Sequence, residues 1–363
     1  MALSKVNPNF LNVSQVGGRR NIVHNGAMQV DQRHNGSSFT VVNSNTITGY
    51  AADRFRINEN SSSAMTAQTV SDAPAGFAHS IKLTVTTADA SLTSSEFHRI
   101  IQGIEGKDIA HLNFGSANAK TVTLSFHVKS SVTGQYYFSM FNGAGNRTQL
   151  KGYTISSANT WEKKTITITP DTAGTWVNTN APGMYIMWSL GTAAAYQSNT
   201  VDAWIGSFAM AKSDQVNLAA TNGSTFQLTG VQLEIGDTAT DFEHRSYGED
   251  LQLCKRYFEV YAPLTNDDGS VNVWRTRTNV NNYNGIINYH EKRVTPAATI
   301  NYDRLHKPGV AKDTLSNITI AVGSGETSSG LVNATPTNDS SISTSAFLGI
   351  SSGTGRITLD AEL

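Results

Sequence analysis

The acids are the first candidates for chemistry in this chain. Glu96, Glu105, Asp202 and Glu234 lie in or beside segments of alternating hydrophobicity. Two carboxylates flanking a glycosidic oxygen are what sugar hydrolysis requires. Sequence spacing brings no two of them to the needed separation. Glu105 and Glu234 read instead as structural acids that pair with Arg54, Arg99 or Arg245. Gly349-Ile350-Ser351-Ser352-Gly353 matches the G-x-S-x-G pattern of a nucleophile elbow, which needs a helix behind it and an acid and a His downstream. Only ten residues follow it, none of them His. His290-Glu291 lacks the second His of H-E-x-x-H. Asn266-Asp267-Asp268-Gly269 begins like a calcium loop but lacks the spacing and the closing Glu, so it reads as a hairpin turn. The chain is expected not to be an enzyme.

Binding chemistry is better represented. Aromatic faces stack on the C–H faces of sugars, while neutral Asn, Gln and Ser read hydroxyls. Period-two alternation sorts the aromatics. Tyr136, Phe138 and Met140 share one strand face and leave Tyr137 and Phe141 on the other. Met184, Ile186, Trp188 and Leu190 read as core, with Tyr185 opposite. Trp176 follows a turn at 171–174, and Trp204 follows a loop at 196–200. Tyr137, Trp176, Tyr185, Tyr196 and Trp204 are therefore the outward candidates for carbohydrate contact. The plainer reading is that Trp161, Trp188 and Trp204 fill a core.

The elements that must position these residues are strands. Val122, Leu124, Phe126 and Val128 alternate with Thr123, Ser125, His127 and Lys129, and Ile81, Leu83 and Val85 repeat the pattern. Phe226 and Leu228 point one way; Gly230 then shifts the phase so that Val231, Leu233 and Ile235 carry the apolar face, which predicts a bulge. Turn clusters at 142–146, 171–174 and 181–183 separate the strands. The expected fold class is all-β: an antiparallel jelly-roll sandwich, then a second, smaller β module, joined by a short helix. That helix is predicted over Glu249–Phe258, with Leu251, Cys254 and Phe258 on one face, acids at its start and Lys255 and Arg256 near its end. One or two helical turns are expected over Gly106–Leu112. The division is 1–19 arm, 20–247 jelly roll, 248–262 connecting helix and 263–363 β module. Ser345–Leu363 reads as a final strand pair with Ile357 and Leu359 buried.

Composition excludes several classes. The chain has 363 residues, 15% of them charged, and a formal net charge of −1, with no basic run to neutralise phosphates; nucleic acid is not an expected partner. A single cysteine, Cys254, excludes an intrachain disulfide. No stretch approaches 18 apolar residues, so membrane insertion is not expected. The start, Met1-Ala2-Leu3-Ser4-Lys5, lacks the apolar core of a signal peptide. The sequence carries no internal repeat and no heptad pattern.

Ordered motifs then resemble a known family. Arg20–Val30 (RNIVHNGAMQV) is similar to the "RNLIINGAMQVAQR" opening of a family of phage tail-fibre and virion-appendage proteins. Tyr50–Phe55 (YAADRF), Val70–Pro74 (VSDAP), Thr229–Ile235 (TGVQLEI), Phe242–Arg245 (FEHR) and Tyr247–Tyr257 (YGEDLQLCKRY) continue the resemblance in order. Glu291–Pro296 and the ending Ile357–Leu363 resemble its second module more loosely. The resemblance implies a carbohydrate-binding-module-like jelly roll on a structural virion protein, made in the host cytoplasm and released in the particle. Its partners would be tail, adaptor or capsid proteins and a host-surface glycan, and it would act as a homotrimer. Phe10, Leu11 and Val13 would dock the arm on the virion; an extra edge strand is the other reading of that arm. A capsid-decorating or head-fibre subunit with no specific ligand is the alternative role. In sugar-binding jelly rolls a calcium ion often ties the first strand to the last, which makes Asp53 and Glu234 weak metal candidates beside the plainer buried Asp–Arg or Glu–Arg pair. No other cofactor is expected.

Overall fold

In a computed structural model the described residues are 20–42, 49–265, 272–275, 283–302, 304–306, 313–323, 325–336, 345–349 and 354–363. The arm residues Phe10, Leu11 and Val13, the turn at 266–269 and residues 350–353 lie outside them. The chain divides into two compact units, Met1–Ser246 and Tyr247–Leu363.

Among the described residues the first unit contains thirteen strands. They are β1 (Phe39–Val42), β2 (Gly49–Ala52), β3 (Phe55–Asn60), β4 (Ala64–Val70), β5 (Ser80–Thr87), β6 (Phe97–Glu105) and β7 (Val122–Ser130). After these come β8 (Gly134–Asn142), β9 (Thr148–Ile155), β10 (Glu162–Ile168), β11 (Pro182–Thr192), β12 (Trp204–Ile205) and β13 (Thr225–Ile235). A smaller sheet of six strands runs β1-β4-β5-β13-β7-β10, and a larger one of seven runs β12-β9-β8-β11-β6-β3-β2. The pairings are antiparallel, as in β7 with β13 and β11 with β6. The result is a jelly-roll-like sandwich.

Its core follows from the alternation. Val122, Leu124, Phe126 and Val128 are fully buried from the smaller sheet; Tyr136, Phe138, Met184, Ile186 and Trp188 meet them from the larger. The Trp188 ring stands edge-on to Phe126 and Phe138, with centroids 5.7 and 5.5 Å away, a favoured aromatic geometry. Gly230 has φ +61°, and the β13–β7 register slips between Thr229 and Gln232, so the predicted bulge is present. Trp161 is not in the core: it is half-buried beside Lys129, whose ammonium lies 5.4 Å from the ring centroid.

The segments that carry the family resemblance meet in space. The Asn21 amide donates to the Val231 carbonyl (3.0 Å) and accepts from Leu233 N–H (3.1 Å) across the bulge. Val231 N–H donates to the Gly26 carbonyl at 2.9 Å. Glu243 accepts from Asn21 N–H at 2.9 Å, and the Arg245 guanidinium donates to the Asn21 and Val23 carbonyls. Asn25, at φ +55°, bonds Val30 and the Asp53 carbonyl through its side chain. Buried Asn21 and Asn25 and half-buried Glu243 and Arg245 clamp the backbone here, which is why their types and spacing matter together.

Helix α1 (Gly106–Ile109) continues as a short 3-10 turn to Leu112, as expected. In the second unit helix α2 spans Tyr247–Lys255. It ends before Phe258, which opens a strand, Phe258–Thr265. The predicted helix to Phe258 and connector to 262 are corrected accordingly, because pairing of that segment with Thr354–Asp360 holds it extended. Thr354–Asp360 is the middle of a three-stranded sheet completed by Ala297–Ile300. Six further strands close into a barrel, in the order Asn272–Arg275, Tyr283–Asn288, Ser329–Pro336, Asp313–Ala321, Arg304–His306 and Ser345–Gly349. Ile357 and Leu359 are buried as expected, but Ser345–Gly349 and Thr354–Asp360 belong to different sheets and do not form a pair. Among the described residues no helix is long and apolar enough to cross a membrane.

Candidate functional site

The larger sheet has one face in the sandwich core and a second face turned outward. Register places residues on that outer face in rows. Asn58 of β3, Arg99 of β6, Ser189 of β11, Tyr137 of β8 and Gly152 of β9 form one row. Arg56, Ile101, Met187, Ser139 and Leu150 form the next, and Gly103, Tyr185, Phe141 and Thr148 a third. Ordinary alternation would leave such a face wet. Here residues 193–217, between β11 and β13, fold back over it. Ile101, Phe141, Met187 and Met210 are buried together, with Phe97, Tyr185, Tyr196 and Phe208 packed partly buried around them. Tyr185 stacks on Phe141 (5.0 Å, 22°), and Tyr196 stands edge-on to Phe97 (5.6 Å) and Phe208 (5.8 Å).

The covering strap is tied down at several points. Met210 N–H donates to the Tyr196 carbonyl (2.8 Å) and Ser198 N–H to the Ala211 carbonyl (2.9 Å). The Tyr137 hydroxyl donates to Asp214 Oδ1 at 2.7 Å. Burial raises the Tyr137 pKa well above the ordinary tyrosine range, and the Asp214 carboxylate raises it further. The same bond, its largest cause, holds Asp214 below the usual carboxylate range.

At one end of the strap an open cleft of about 480 Å³ remains, lined by Asn58, Asn60, Ser95, Phe97, Arg99, Tyr196, Phe208 and Met210. Its volume and its mix of aromatic walls with a few polar groups fall in the range of small-molecule sites. The Asn60 amide donates to the Ser95 carbonyl at 3.0 Å, and Asn58 Oδ1 accepts from Arg56 Nε at 3.1 Å. The Arg99 guanidinium lies 4.6 Å from the Phe97 ring centroid, and its Nη1 is 3.6 Å from Met187 Sδ. Burial, and then the neighbouring Arg56 cation, push the Arg99 pKa down to about 10. Of the three arginines expected to serve as partners for Glu105 and Glu234, Arg99 is not used in this way: it lines the cleft, and among the described residues no carboxylate pairs with it.

The five sequence-predicted aromatics separate into two groups. Tyr196 lines the cleft, and Tyr185 belongs to the aromatic cluster beside it. Tyr137 is on the same sheet face but only 3% exposed, so its expected outward position is corrected: the strap covers it. Trp176 and Trp204 lie in another cluster, packed against the sandwich core with Phe114; the two indoles stand edge-on at 5.6 Å. Trp176 Nε1 donates to Asp171 (3.1 Å), and Trp204 Nε1 donates to the Thr169 carbonyl (2.8 Å). A hollow of about 220 Å³ lies beside Trp176, Phe114 and Ile109. Sequence reading missed Phe97, Phe208, Asn58, Asn60 and Arg99 as site residues. The available signal was the Phe97-Arg99-Ile101 alternation, which puts an arginine beside an aromatic on the outward face of a central strand.

Each calcium candidate is held by neighbouring side chains. Buried Asp53 accepts from Gln32 Nε2 (2.6 Å) and pairs with Arg33 (3.4 Å), whereas buried Glu234 accepts from Thr240 N–H (2.8 Å), Thr240 Oγ1 (2.7 Å) and Gln232 Nε2 (2.9 Å). Among the described residues no group of three or more His, Cys, Asp and Glu is arranged to hold a metal ion. Glu96 accepts from Thr93, and Asp202 pairs with Lys151 at 2.9 Å.

No protein-family model matches the chain, and no curated protein matches it. Three similar solved structures each cover between 56% and 60% of this chain. The enzymatically active domain of bacteriophage CBA120 tailspike protein 4 is 15% identical over 60% of this chain and 21% of its own, with a TM-score of 0.32. The chain thus spans about a fifth of that tailspike domain. TmCBM61, solved with β-1,4-galactotriose, is 9% identical over 60% of this chain and all of its own (100%), with a TM-score of 0.31. The family 11 carbohydrate-binding module of Clostridium thermocellum, solved with a β-1,3-1,4-mixed-linked tetrasaccharide, is 11% identical over 56% of this chain and 98% of its own, with a TM-score of 0.29.

Proposed function

We propose that the first unit binds glycans, without cleaving them, in the cleft between β3, β6 and the strap. The observation that carries this reading is the combination of aromatic walls, Phe97, Tyr196 and Phe208, with the amides of Asn58 and Asn60 in one open cleft. Such walls stack on sugar C–H faces while the amides orient hydroxyls. The finer reading is a tail-fibre-like phage appendage that holds to the particle through residues 1–19 and presents the cleft to host-surface glycans. It is supported by the motifs from Arg20 to Tyr257 described above. A trimer would present several clefts at once, so weak single-site binding would be strengthened by effective concentration.

The test is a glycan array probed with the full chain and with Tyr196→Ala and Phe208→Ala variants. The parent should bind a defined glycan class, and each variant should bind at least about ten-fold more weakly, roughly 1.4 kcal/mol. Equal binding by parent and variants would move the site elsewhere. No binding at all, with loss of particle integrity in virions lacking the protein, would favour the capsid-decorating role.

A further inference from the structure

The charge in the cleft is unexplained by the fold. Arg99 rises from near the start of β6, between Asn58 and Ser189 in the sheet rows. Its guanidinium carries five N–H donors and is always charged. Its Nη1 faces the Met187 thioether, a weak acceptor, and among the described residues its buried Nε has no hydrogen-bond partner. The groups that act on its charge are the Arg56 guanidinium, which opposes it, and the Tyr196 and Tyr185 phenols, which favour it; among the described residues none of them is a carboxylate. An arginine needed only for the fold would be expected to carry a carboxylate or carbonyl partner, as Arg147 carries Asp171 and Arg245 carries the Asn21 and Val23 carbonyls. A cation withdrawn from water without a counter-charge is unfavourable until an anion arrives.

We propose that the cleft selects acidic saccharides, with the carboxylate of a uronic- or sialic-acid-type sugar received by Arg99 while the sugar ring lies against Tyr196 and Phe208. This rests on the glycan reading above and gives it a substrate class. A planar carboxylate matches the guanidinium fork in two parallel hydrogen bonds, which a hydroxyl cannot do. The guanidinium lies over the Phe97 ring, a contact that restrains the fork before the ligand enters.

The experiment compares three sets of glycans on the full chain: neutral oligosaccharides, uronate- and sialate-containing ones, and the latter after reduction of the carboxyl to an alcohol. The parent should prefer the acidic set, and carboxyl reduction should weaken binding at least ten-fold. Arg99→Gln should bind acidic and reduced forms alike. Binding of neutral and reduced glycans as tightly as acidic ones would overturn the selectivity and leave the glycan reading intact. Binding of none would remove both. A second readout separates recognition from support of the fold: without ligand, Arg99→Met should melt higher than the parent, because it removes an unpaired charge. A lower melting temperature would make Arg99 a structural strut and overturn the proposal.

Discussion

Replacing Gly26 by alanine should weaken the first unit severely, and the structure allows the size to be worked out. A Cβ on Gly26 would lie 2.1 Å from the Val231 carbonyl oxygen, a contact with backbone and not with a flexible side chain. Relief needs a separation of about 1 Å between the residue 21–26 segment and β13 at its bulge, since carbon and oxygen tolerate roughly 3 Å at closest. That displacement breaks the 2.9 Å Val231 N–H to Gly26 bond and strains the 3.0 Å Asn21 amide to Val231 bond, both buried. Two unsatisfied buried groups cost about 1 to 3 kcal/mol each, so the loss should be about 2 to 6 kcal/mol. For a unit of this size that corresponds to roughly 4 to 24 °C in melting temperature. Calorimetry on the full chain is the assay, with the transition of the second unit as an internal reference. Gly206→Ala is the control: nothing lies within 4 Å of its Cβ position, and the change should be neutral or stabilising by about 0.4 to 1 kcal/mol. A Gly26→Ala transition within about 2 °C of the parent would refute the idea that this clamp holds the sandwich together.

Two further outcomes are expected. Tyr137→Phe removes the hydroxyl that anchors the strap to Asp214; because that carboxylate is half exposed, the loss should be about 1 kcal/mol or less. It should appear as faster amide exchange across residues 193–217 and weaker glycan binding. In the second unit, burial opposes ionisation of Glu259, but bonds from Lys292 (2.6 Å) and His290 outweigh it and hold its pKa below the ordinary value of 4.5. A depressed folded pKa means stability present above 4.5 and lost as pH falls through the folded value. Melting of that unit should therefore drop on acidification below about pH 4.5, and a Glu259→Gln variant should lose this dependence.

Much of the fold was legible because burial imposes a period of two. Val122 to Val128 and Met184 to Leu190 face the core in the expected phase, and Gly230 marks the bulge. The helix end was misread because Leu251, Cys254 and Phe258 fit a helical face, while Phe258 and Val260 also fit a strand; pairing with Thr354–Asp360 decided between them. The site was only half legible. Alternation assigns Tyr137, Tyr185 and Arg99 to the outer face, but residues 193–217 have no periodicity that announces a strap lying over it. Tyr137 is consequently buried where an exposed position was expected. Arg99 was read as one of three arginines that could partner the acids, because type alone cannot reveal that no carboxylate among the described residues meets it. Trp176 and Trp204 follow turns, which suggested exposure, yet their N–H groups find Asp171 and Thr169 and their rings close the edge of the core.

The clamp around Gly26 also has a consequence for time. Asn21 and Glu243 are 222 positions apart in the chain, and their bond closes the sandwich. At about 5 to 20 residues per second of synthesis, the early segment waits roughly 10 to 45 s for its partner to be made. During that interval Ile22, Val23 and Met28, buried in the finished unit, have no β13 to rest on. Closure of so distant a pair belongs to the slow class of folding reactions. A chain halted before residue 225 would hold the first twelve strands of this unit and lack the one that joins β5 to β7. The contact that joins the beginning of this sandwich to its end therefore cannot form until nearly all of the unit has been made, and the apolar groups beside it need shielding until then.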